Sequence, residues 1–221
     1  MEEVYSRVSG GGISIIVKIC GINTLEAALA AYDFGADWIG FVFAPSKRRI
    51  TLAEARQISC KISQIGKVGV FVNAPLTEVR EAASACKLDY VQLHGDEPPE
   101  YCRLVGYPVI KAFRIGPGFS RAAFNGYRTS WTLFDSFTAG VQGGTGRVFD
   151  WQAAQALAKQ APRPLLAAGG LTPENVAQAI AVLRPDGVDV SGGVETNGIK
   201  DIEKIKRFIT AAKGGIGQNA K

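Results

Sequence analysis

Residues 38–60 form the stretch WIGFVFAPSKRRITLAEARQISC, from which the fold class can be inferred. It opens with a continuous apolar run, Trp38–Phe43. Runs of this kind are typical of strands that are buried on both faces of a parallel sheet. After a polar loop, Thr51 and Glu54 have the spacing of a capping box, which marks the first turn of a helix. The stretch therefore predicts a strand, a loop and a helix, which together form one βα unit.

The same pattern recurs on both sides of this stretch. Seven further apolar runs predict strands at Ile15–Ile19, Lys67–Val72, Tyr90–Leu93, Val109–Phe113, Trp131–Phe134, Pro164–Ala168 and Gly187–Val190. Helix starts are predicted at Asn23 with Glu26 and at Thr172-Pro173, and helix ends at Gly35 and Gly214. The last helix has one apolar face, formed by Ile202, Ile205, Phe208 and Ile209. The helical pattern is weakest around Ser120–Tyr127.

Eight βα units in one chain predict a closed (β/α)8 barrel, also called a TIM barrel. The alternative is an open, doubly wound sheet, which usually carries Gly-x-Gly-x-x-Gly after its first strand. Here Cys20-Gly21-Ile22-Asn23 follows the first strand and does not match. We therefore expect an α/β protein with a single barrel domain at residues 13–215. Residues 1–12 are expected to form a flexible tail, and residues 216–221 a C-terminal tail.

Composition excludes several classes of protein. Hydrophobic residues make up 47% and charged residues 20% of the 221-residue chain, which argues against disorder. The net charge is +5, but basic residues cluster only in two short segments, 47–49 and 204–207. Nucleic-acid-binding proteins normally concentrate their excess charge on one face, so we expect no nucleic-acid partner. One or two well-placed cations would still suffice to bind an anionic small molecule.

Cysteine and histidine usage points to a reducing compartment and away from metal chemistry. The four cysteines contain no C-x-x-C pair and the chain has one histidine, which argues against a zinc site. The sequence shows no signal-peptide pattern and no apolar run of the about 18 residues that a membrane span requires. We expect a cytoplasmic protein with reduced thiols and no membrane partner.

Glycine is in excess, with 26 residues, and several glycines fall just after predicted strands. In (β/α)8 barrels the site lies at the C-terminal ends of the strands, and the loops after strands 7 and 8 often bind phosphate. Gly169-Gly170 and Gly192-Gly193, preceded by Ser191, occupy these two loops. One glycine pair alone would be explained by a tight turn. Pairs at both positions favour a phosphate site, because glycine lets the backbone approach an oxyanion closely.

Two residues at strand ends are candidates for acid–base chemistry. Asp135 follows the apolar run Trp131–Phe134, where partial desolvation would raise the carboxyl pKa, although a helix cap or loop acceptor is an equal interpretation. Cys20 ends the first strand and is either a small buried hydrophobe or, if a cationic neighbour activates it, a nucleophile or base. In a closed ring these residues flank the two glycine loops, so a substrate anchored by phosphate could lie between them.

Two further side chains lie at the predicted mouth of the barrel. Arg48 follows strand 2 and is either an exposed arginine or a fork that grips a carboxylate. His94, the lone histidine, ends strand 4 and is either a structural imidazole or a substrate contact.

Taken together, the strand ends resemble phosphoribosylanthranilate isomerases over about residues 15–213. The resemblance rests on eight segments in the family's order: Lys18–Ile22, Gly40–Phe43 with Ser46–Arg48, Val68–Val72, Val91–Gly95, Phe134–Ser136, Gly143–Gly146 with Phe149–Trp151, Ala168–Leu171, and Val188–Glu195. Single segments are modest signals, but their ordered set is highly specific.

The resemblance implies a barrel enzyme of tryptophan biosynthesis that performs an Amadori rearrangement. An aminoaldose, N-(5-phosphoribosyl)anthranilate, would become 1-(2-carboxyphenylamino)-1-deoxyribulose 5-phosphate. It also implies that Cys20 is the general base, that Asp135 is the general acid and that Arg48 holds the anthranilate carboxylate. It further implies that the loops with Gly169, Gly170, Ser191, Gly192 and Gly193 bind phosphate. We also expect His94 and Asp189 to contact the substrate. No metal and no cofactor are implied.

Two departures from the family pattern affect these expectations. Many relatives carry a serine where Gly192 stands, so a side-chain phosphate contact is missing there. Arg49 directly follows Arg48 and is an alternative partner for the carboxylate.

Other interpretations predict different chemistry. A related barrel isomerase would act on another phosphosugar, such as the histidine-pathway aminoaldose. A thiol hydrolase would pair Cys20 with His94, and a non-catalytic module would only bind a phosphosugar or nucleic acid. The expected partner is a small phosphosugar, and the expected assembly is a monomer or a homodimer.

Overall fold

A computed structural model describes residues 15–136 and 151–214. The strands are β1 (Ile16–Cys20), β2 (Trp38–Val42), β3 (Gly66–Phe71), β4 (Tyr90–Leu93), β5 (Val109–Ile115), β6 (Trp131–Ser136), β7 (Leu165–Ala167), β8 (Gly187–Val190), β9 (Glu195–Thr196) and β10 (Ile199–Lys200). The helices are α1 (Leu25–Asp33), α2 (Leu52–Lys61), α3 (Leu76–Ala85), α4 (Pro99–Leu104), α5 (Trp151–Ala158), α6 (Val176–Leu183) and α7 (Ile202–Gly214). Short 3-10 helices occur at Arg121–Phe124 and Gly192–Val194.

Strands β1 to β8 form a closed barrel in which every strand runs parallel to its neighbours. The ring closes between β1 and β8, where Lys18 is paired in register with Asp189. β9 and β10 form a separate antiparallel hairpin after β8. The predicted (β/α)8 barrel is therefore confirmed, and the open-sheet alternative is wrong.

Successive residues of a strand point to opposite faces of the sheet. Apolar side chains therefore fill both the interior of the barrel and the layer between the strands and the helices. A cluster of inward-facing residues consists of Trp38, Val68, Ile110, Ala112, Trp131, Leu133, Leu166 and Ala168. The larger cluster lies between the strands and the surrounding helices and includes Val17, Ile19, Ile39 and Phe41. The interior also contains fully buried polar side chains, Lys18 and Gln92 among them.

The helix boundaries confirm some sequence predictions and correct others. The capping box at Thr51 and Glu54 is present, and Gly35 follows the end of α1 in a left-handed conformation. The predicted cap at Asn23 is wrong by one residue, because the side chain of Thr24 accepts the Ala27 N–H instead.

The predicted cap at Thr172 is present, although regular helix begins later than predicted. The hydroxyl of Thr172 accepts the Glu174 N–H at 3.3 Å, and the Asn175 side chain accepts the Thr172 N–H at 2.8 Å. The Thr172 carbonyl accepts the Val176 N–H at 3.1 Å, and α6 begins at Val176, three residues after the predicted first helical residue, Pro173. Around residues 120–127 the structure has a 3-10 helix, Arg121–Phe124, in place of the predicted weak helix.

The other predicted boundaries agree within two residues. α7 buries Ile205, Phe208 and Ile209, as its apolar face predicts, and ends at Gly214. The predicted tails, 1–12 and 216–221, and the segment Gly143–Gly146 lie outside the described residues. Within the described part of the chain, no helix is long and apolar enough to cross a membrane.

Candidate functional site

A cavity of about 660 Å³ opens at the C-terminal ends of the barrel strands. Its volume falls in the range of small-molecule sites. The structure brings all of the site residues predicted from sequence to its wall: Cys20, Arg48, His94, Asp135, Gly169, Gly170, Asp189, Ser191, Gly192 and Gly193. Residues from β1, β6 and the loops after β7 and β8 thus face one space.

The cysteine lies next to a buried ion pair that the sequence analysis did not identify. Cys20 is the last residue of β1, and Lys18 lies two positions earlier, so both side chains point to the barrel interior. Lys18 Nζ lies 2.9 Å from Asp189 Oδ1, and the lysine side chain is fully buried. Asp189, expected to bind substrate, is therefore the counter-ion of Lys18 as well as part of the cavity wall.

Burial is the main influence on the ionisation of these groups. It raises the pKa of the Cys20 thiol, although the ammonium groups of Lys18 and Lys200 act in the opposite direction. Burial also works to lower the pKa of Lys18, but Asp189 and Cys20 outweigh it, and the pKa of Lys18 is raised. Lys18 is thus held in its charged form beside the thiol.

On the far side of the ring, Asp135 belongs to a short hydrogen-bonded chain. His94 Nε2 lies 3.0 Å from Asp135 Oδ2, and His94 Nδ1 lies 2.9 Å from Gln92 Nε2. Both ring nitrogens are therefore engaged, and neither is engaged by Cys20. This arrangement contradicts the thiol-hydrolase interpretation, which requires a direct pair between Cys20 and His94.

Gln92 lies deepest in this chain. It is 1% exposed, and its Oε1 atom has no hydrogen-bond partner within the described residues. A neutral His94 carries its proton on one of its two ring nitrogens. If Nδ1 is unprotonated, Gln92 must donate its amide N–H to it, and if Nδ1 is protonated, Gln92 must accept with its carbonyl oxygen. The amide can serve either tautomer by rotating, so Gln92 can stay hydrogen-bonded to His94 in both.

Arg48 is held over the cavity by a carboxylate that the sequence analysis missed. Its Nε and Nη2 atoms donate to the two carboxylate oxygens of Glu195, at 2.6 and 2.9 Å. Lys200 Nζ also donates to Glu195, at 2.8 Å. Burial works to raise the pKa of Glu195, but Arg48 and Lys200 outweigh it and lower the pKa. The fork leaves Arg48 Nη1 outside the ion pair.

The neighbouring arginine does not share this position. Arg49 is exposed, and its backbone forms a bridge with Val42 while its side chain does not line the cavity. Of the two arginines that the sequence offered, the structure places Arg48 at the cavity.

The two glycine loops approach each other closely. Gly169 and Gly170 both adopt left-handed backbone conformations, which strongly favour glycine. At Gly193 an added Cβ would overlap with the carbonyl oxygen of Leu171, so the loop after β8 packs on the loop after β7 only if this residue is glycine. The hydroxyl of Ser191 donates to the Cys20 carbonyl oxygen at 3.1 Å and so connects the β8 loop to β1.

The missed residues differ in the sequence signal that could have revealed them. Lys18 interrupts the apolar strand Ile15–Ile19, and a charged residue within such a run is a detectable anomaly. Glu195 and Lys200 lie in a polar segment after the last strand, where charges are ordinary. Within residues 15–136 and 151–214, no group of three or more His, Cys, Asp or Glu side chains is arranged to hold a metal ion.

Comparison with known proteins gives consistent matches over most of the chain. The profile of the N-(5'phosphoribosyl)anthranilate (PRA) isomerase family matches residues 17–211. A relative from Desulforudis audaxviator, named N-(5'-phosphoribosyl)anthranilate isomerase, is 48% identical over 204 residues, which cover 91% of this chain and 99% of the relative. A relative of the same name from Geobacter sulfurreducens is 47% identical over 201 residues, with 90% and 98% covered.

Solved structures agree with these sequence matches. The phosphoribosyl anthranilate isomerase of Thermotoga maritima is similar with a TM-score of 0.82 and 43% identity, covering 90% of this chain and 99% of that one. Another phosphoribosyl anthranilate isomerase, in complex with reduced 1-(o-carboxyphenylamino)-1-deoxyribulose 5-phosphate, has a TM-score of 0.79 and 42% identity over the same shares. The Thermotoga maritima enzyme is also described as dimeric.

Proposed function

This chain belongs to the N-(5'-phosphoribosyl)anthranilate isomerase family of tryptophan biosynthesis, and we propose that it catalyses the family's rearrangement with Cys20 as general base and Asp135 as general acid. The product would be 1-(2-carboxyphenylamino)-1-deoxyribulose 5-phosphate. One observation carries the assignment of roles. Cys20 and Asp135 line the same cavity from β1 and β6, and the glycine loops after β7 and β8 line it as well.

The first step opens the sugar ring. Asp135 in its protonated form gives its proton to the ring oxygen, the bond between C1 and that oxygen breaks, and the nitrogen lone pair forms a C1=N iminium. A carboxyl group at the cavity wall can give a proton to a substrate oxygen that lies within hydrogen-bond distance. The hydrogen bond to His94 fixes the direction in which the Asp135 carboxyl points.

The second step moves a proton at the sugar carbons. The iminium withdraws electrons from C2, and the Cys20 thiolate removes the C2 proton, which gives an enaminol. The C2 hydroxyl then loses its proton while C1 gains one, so the aminoketose has the same atoms as the substrate. The thiolate, not the thiol, is the base, so the step depends on the groups that surround the Cys20 sulfur.

Arg48 would bind the anthranilate carboxylate. Glu195 occupies the Nε N–H and one N–H of Nη2, so the two N–H groups of Nη1 and the second N–H of Nη2 are left for a substrate. The ion pair also holds the guanidinium in one orientation, which lowers the entropic cost of binding. This assignment uses Arg48 and leaves Arg49, which faces away from the cavity, without a role.

Phosphate would be bound by backbone N–H groups of the loops after β7 and β8. The left-handed Gly169 and Gly170 and the close contact at Gly193 bring both backbones to one point of the cavity. The hydroxyl proton of Ser191 is committed to Cys20, so the contribution of Ser191 would come from its own N–H. Gly192, where many relatives carry serine, would contribute in the same way.

An assay of the purified protein with two substrates tests the function. Anthranilate fluorescence follows the turnover of N-(5-phosphoribosyl)anthranilate, and the histidine-pathway aminoaldose phosphate is offered in parallel. We expect turnover of the anthranilate compound with a kcat/KM well above that for the other aminoaldose, since only the former presents a benzoate carboxylate to Arg48. Higher kcat/KM with the histidine-pathway compound would overturn the assignment and support the alternative isomerase.

A further inference from the structure

Lys18 occupies a position where burying a charge costs free energy of desolvation. It is fully buried within β1, and the interior of the barrel around it is otherwise built largely from apolar side chains such as Trp38 and Leu166. A buried ion pair costs desolvation energy and often stabilises a protein less than apolar residues of the same volume would. A gain in stability is therefore a weak explanation for a lysine and Asp189 at this position, so the surroundings of the ammonium group are the place to look for a function.

The position of Gly40 shows what the lysine faces. Gly40 is paired in register with Cys20, and a Cβ added to it would lie 3.0 Å from Cys20 Sγ and 3.1 Å from Lys18 Nζ. The ammonium and the thiol thus converge on the same spot, and they can do so because Gly40 has no side chain. Their separation cannot exceed the sum of these two distances, which is within the range where opposite charges interact strongly.

We propose that Lys18 is a positioning residue for the reaction, whose ammonium group stabilises the thiolate of Cys20, and that Asp189 holds this ammonium in place and in its charged form. The proposal rests on the proposed function, in which the thiolate is the base. When the thiolate takes the C2 proton, its negative charge disappears, and Lys18 remains protonated against Asp189. No proton passes through the lysine.

The other charged groups that face Cys20 form ion pairs with residues other than Cys20. Lys200, from β10, donates to Glu195 and to the Ser191 carbonyl, at 2.8 and 3.0 Å. Arg48, from the loop after β2, is forked on Glu195. Asp189, from β8, disfavours the thiolate by its own charge but is neutralised by Lys18. Lys18 thus opposes the effect of burial on the thiol more strongly than the other cations do, although burial remains the larger influence.

Alkylation by iodoacetamide as a function of pH measures the thiol directly and needs no turnover. The extent of reaction at Cys20 is read by mass spectrometry of its peptide, in the wild type, in Lys18→Met and in Lys18→Met/Asp189→Asn. The exposed Cys60 in the same samples is the internal control. Lys18→Met is expected to raise the Cys20 pKa by about 1–3 units. The double variant should raise the Cys20 pKa less, because it removes the negative charge of Asp189 as well. Cys60 should react to the same extent in all three proteins.

A conservative variant separates charge from packing. Lys18→Arg keeps a cation at this position, so its Cys20 pKa should stay near that of the wild type. If Lys18→Met does not fold, as judged by circular dichroism, Lys18→Arg and the charge-free double variant still give the comparison. An unchanged Cys20 pKa in the variants without Lys18, or an equal rise in Lys18→Arg and Lys18→Met, would overturn the proposal.

Activity then distinguishes this proposal from the one on which it rests. The acidic limb of the kcat/KM profile should move to higher pH in Lys18→Met, together with the alkylation pKa. An inactive Cys20→Ala combined with an alkylation pKa that ignores Lys18 would overturn the role of Lys18 alone. An active Cys20→Ala combined with a shifted pKa would overturn the role of Cys20 as base and leave the electrostatic pairing intact.

Discussion

His94 Nε2 lies 3.0 Å from Asp135 Oδ2, so the lone histidine of the chain is bound to the carboxyl group that we assign as the acid. The histidine itself is held by Gln92 through its second nitrogen. We therefore expect His94 to act on the reaction through the orientation of Asp135.

Replacing the histidine should weaken the reaction without abolishing it. His94→Asn removes a hydrogen bond to a carboxyl group, which is worth about 1.5 kcal/mol, or roughly a tenfold loss in kcat/KM. Steady-state fluorescence kinetics measure the loss. A complete loss of turnover would instead make the imidazole a participant in proton transfer.

Removing the partner of Arg48 should affect substrate binding. Glu195→Gln keeps the shape of the side chain but loses the charge that orients the guanidinium, so KM is expected to rise by about tenfold while kcat changes little. The neighbouring Arg49→Ala is the matched control, because this exposed arginine does not line the cavity, and its KM should equal that of the wild type. A higher KM in Arg49→Ala than in Glu195→Gln would move the carboxylate contact to Arg49.

The close contact between the loops after β7 and β8 predicts that Gly193 and Gly214 differ in their tolerance of an added methyl group. In Gly193→Ala the new methyl group would overlap with the Leu171 carbonyl, so the loops must move apart at a cost of about 1–3 kcal/mol. Thermal unfolding should show a lower Tm, and inorganic phosphate should compete less well with the substrate. Gly214→Ala adds its methyl group in open space at the end of α7, so it should lower neither the Tm nor the competition by phosphate.

The raised pKa of the Cys20 thiol makes a prediction about pH. Because the base must be ionised in the free enzyme, kcat/KM should rise with pH along a limb that lies above the ordinary thiol value, in the direction that burial shifts it. The rate rises with pH because the thiol, which is the protonated and inactive form, predominates at low pH. Cys20→Asp moves the limb to acidic pH if it retains activity, since a carboxyl group ionises earlier. A wild-type limb below neutrality would contradict a buried thiol as the base.

Much of the barrel could be predicted from local sequence, and the helix caps show where this stops. Apolar runs and glycine positions report on each βα unit separately, so eight units and two glycine loops could be recognised. The cap at Thr172 is present, but regular helix begins only at Val176, because residues 173–175 form a turn. The length of such a turn depends on the loops that pack against it, which no local pattern describes.

The sequence predicted the individual residues of the candidate site but not the ion pairs that they form. Cys20, Arg48 and Asp135 stand at strand ends, where position alone suggested them. Lys18 and Asp189 are 171 positions apart, and Arg48 and Glu195 are 147 apart. These ion pairs exist only because the barrel closes between β8 and β1, so spacing along the chain carries no trace of them.

The assignment of Cys20 as general base and Asp135 as general acid is tested by the turnover of two single variants. In the fluorescence assay, Cys20→Ala and Asp135→Asn should each lose at least about 100-fold in kcat, in line with the loss of a general base or acid. Cys60→Ala and Asp33→Asn, which change exposed residues outside the cavity, are the matched controls and should retain wild-type kcat. Turnover within a few-fold of the wild type in either Cys20→Ala or Asp135→Asn would contradict the mechanism.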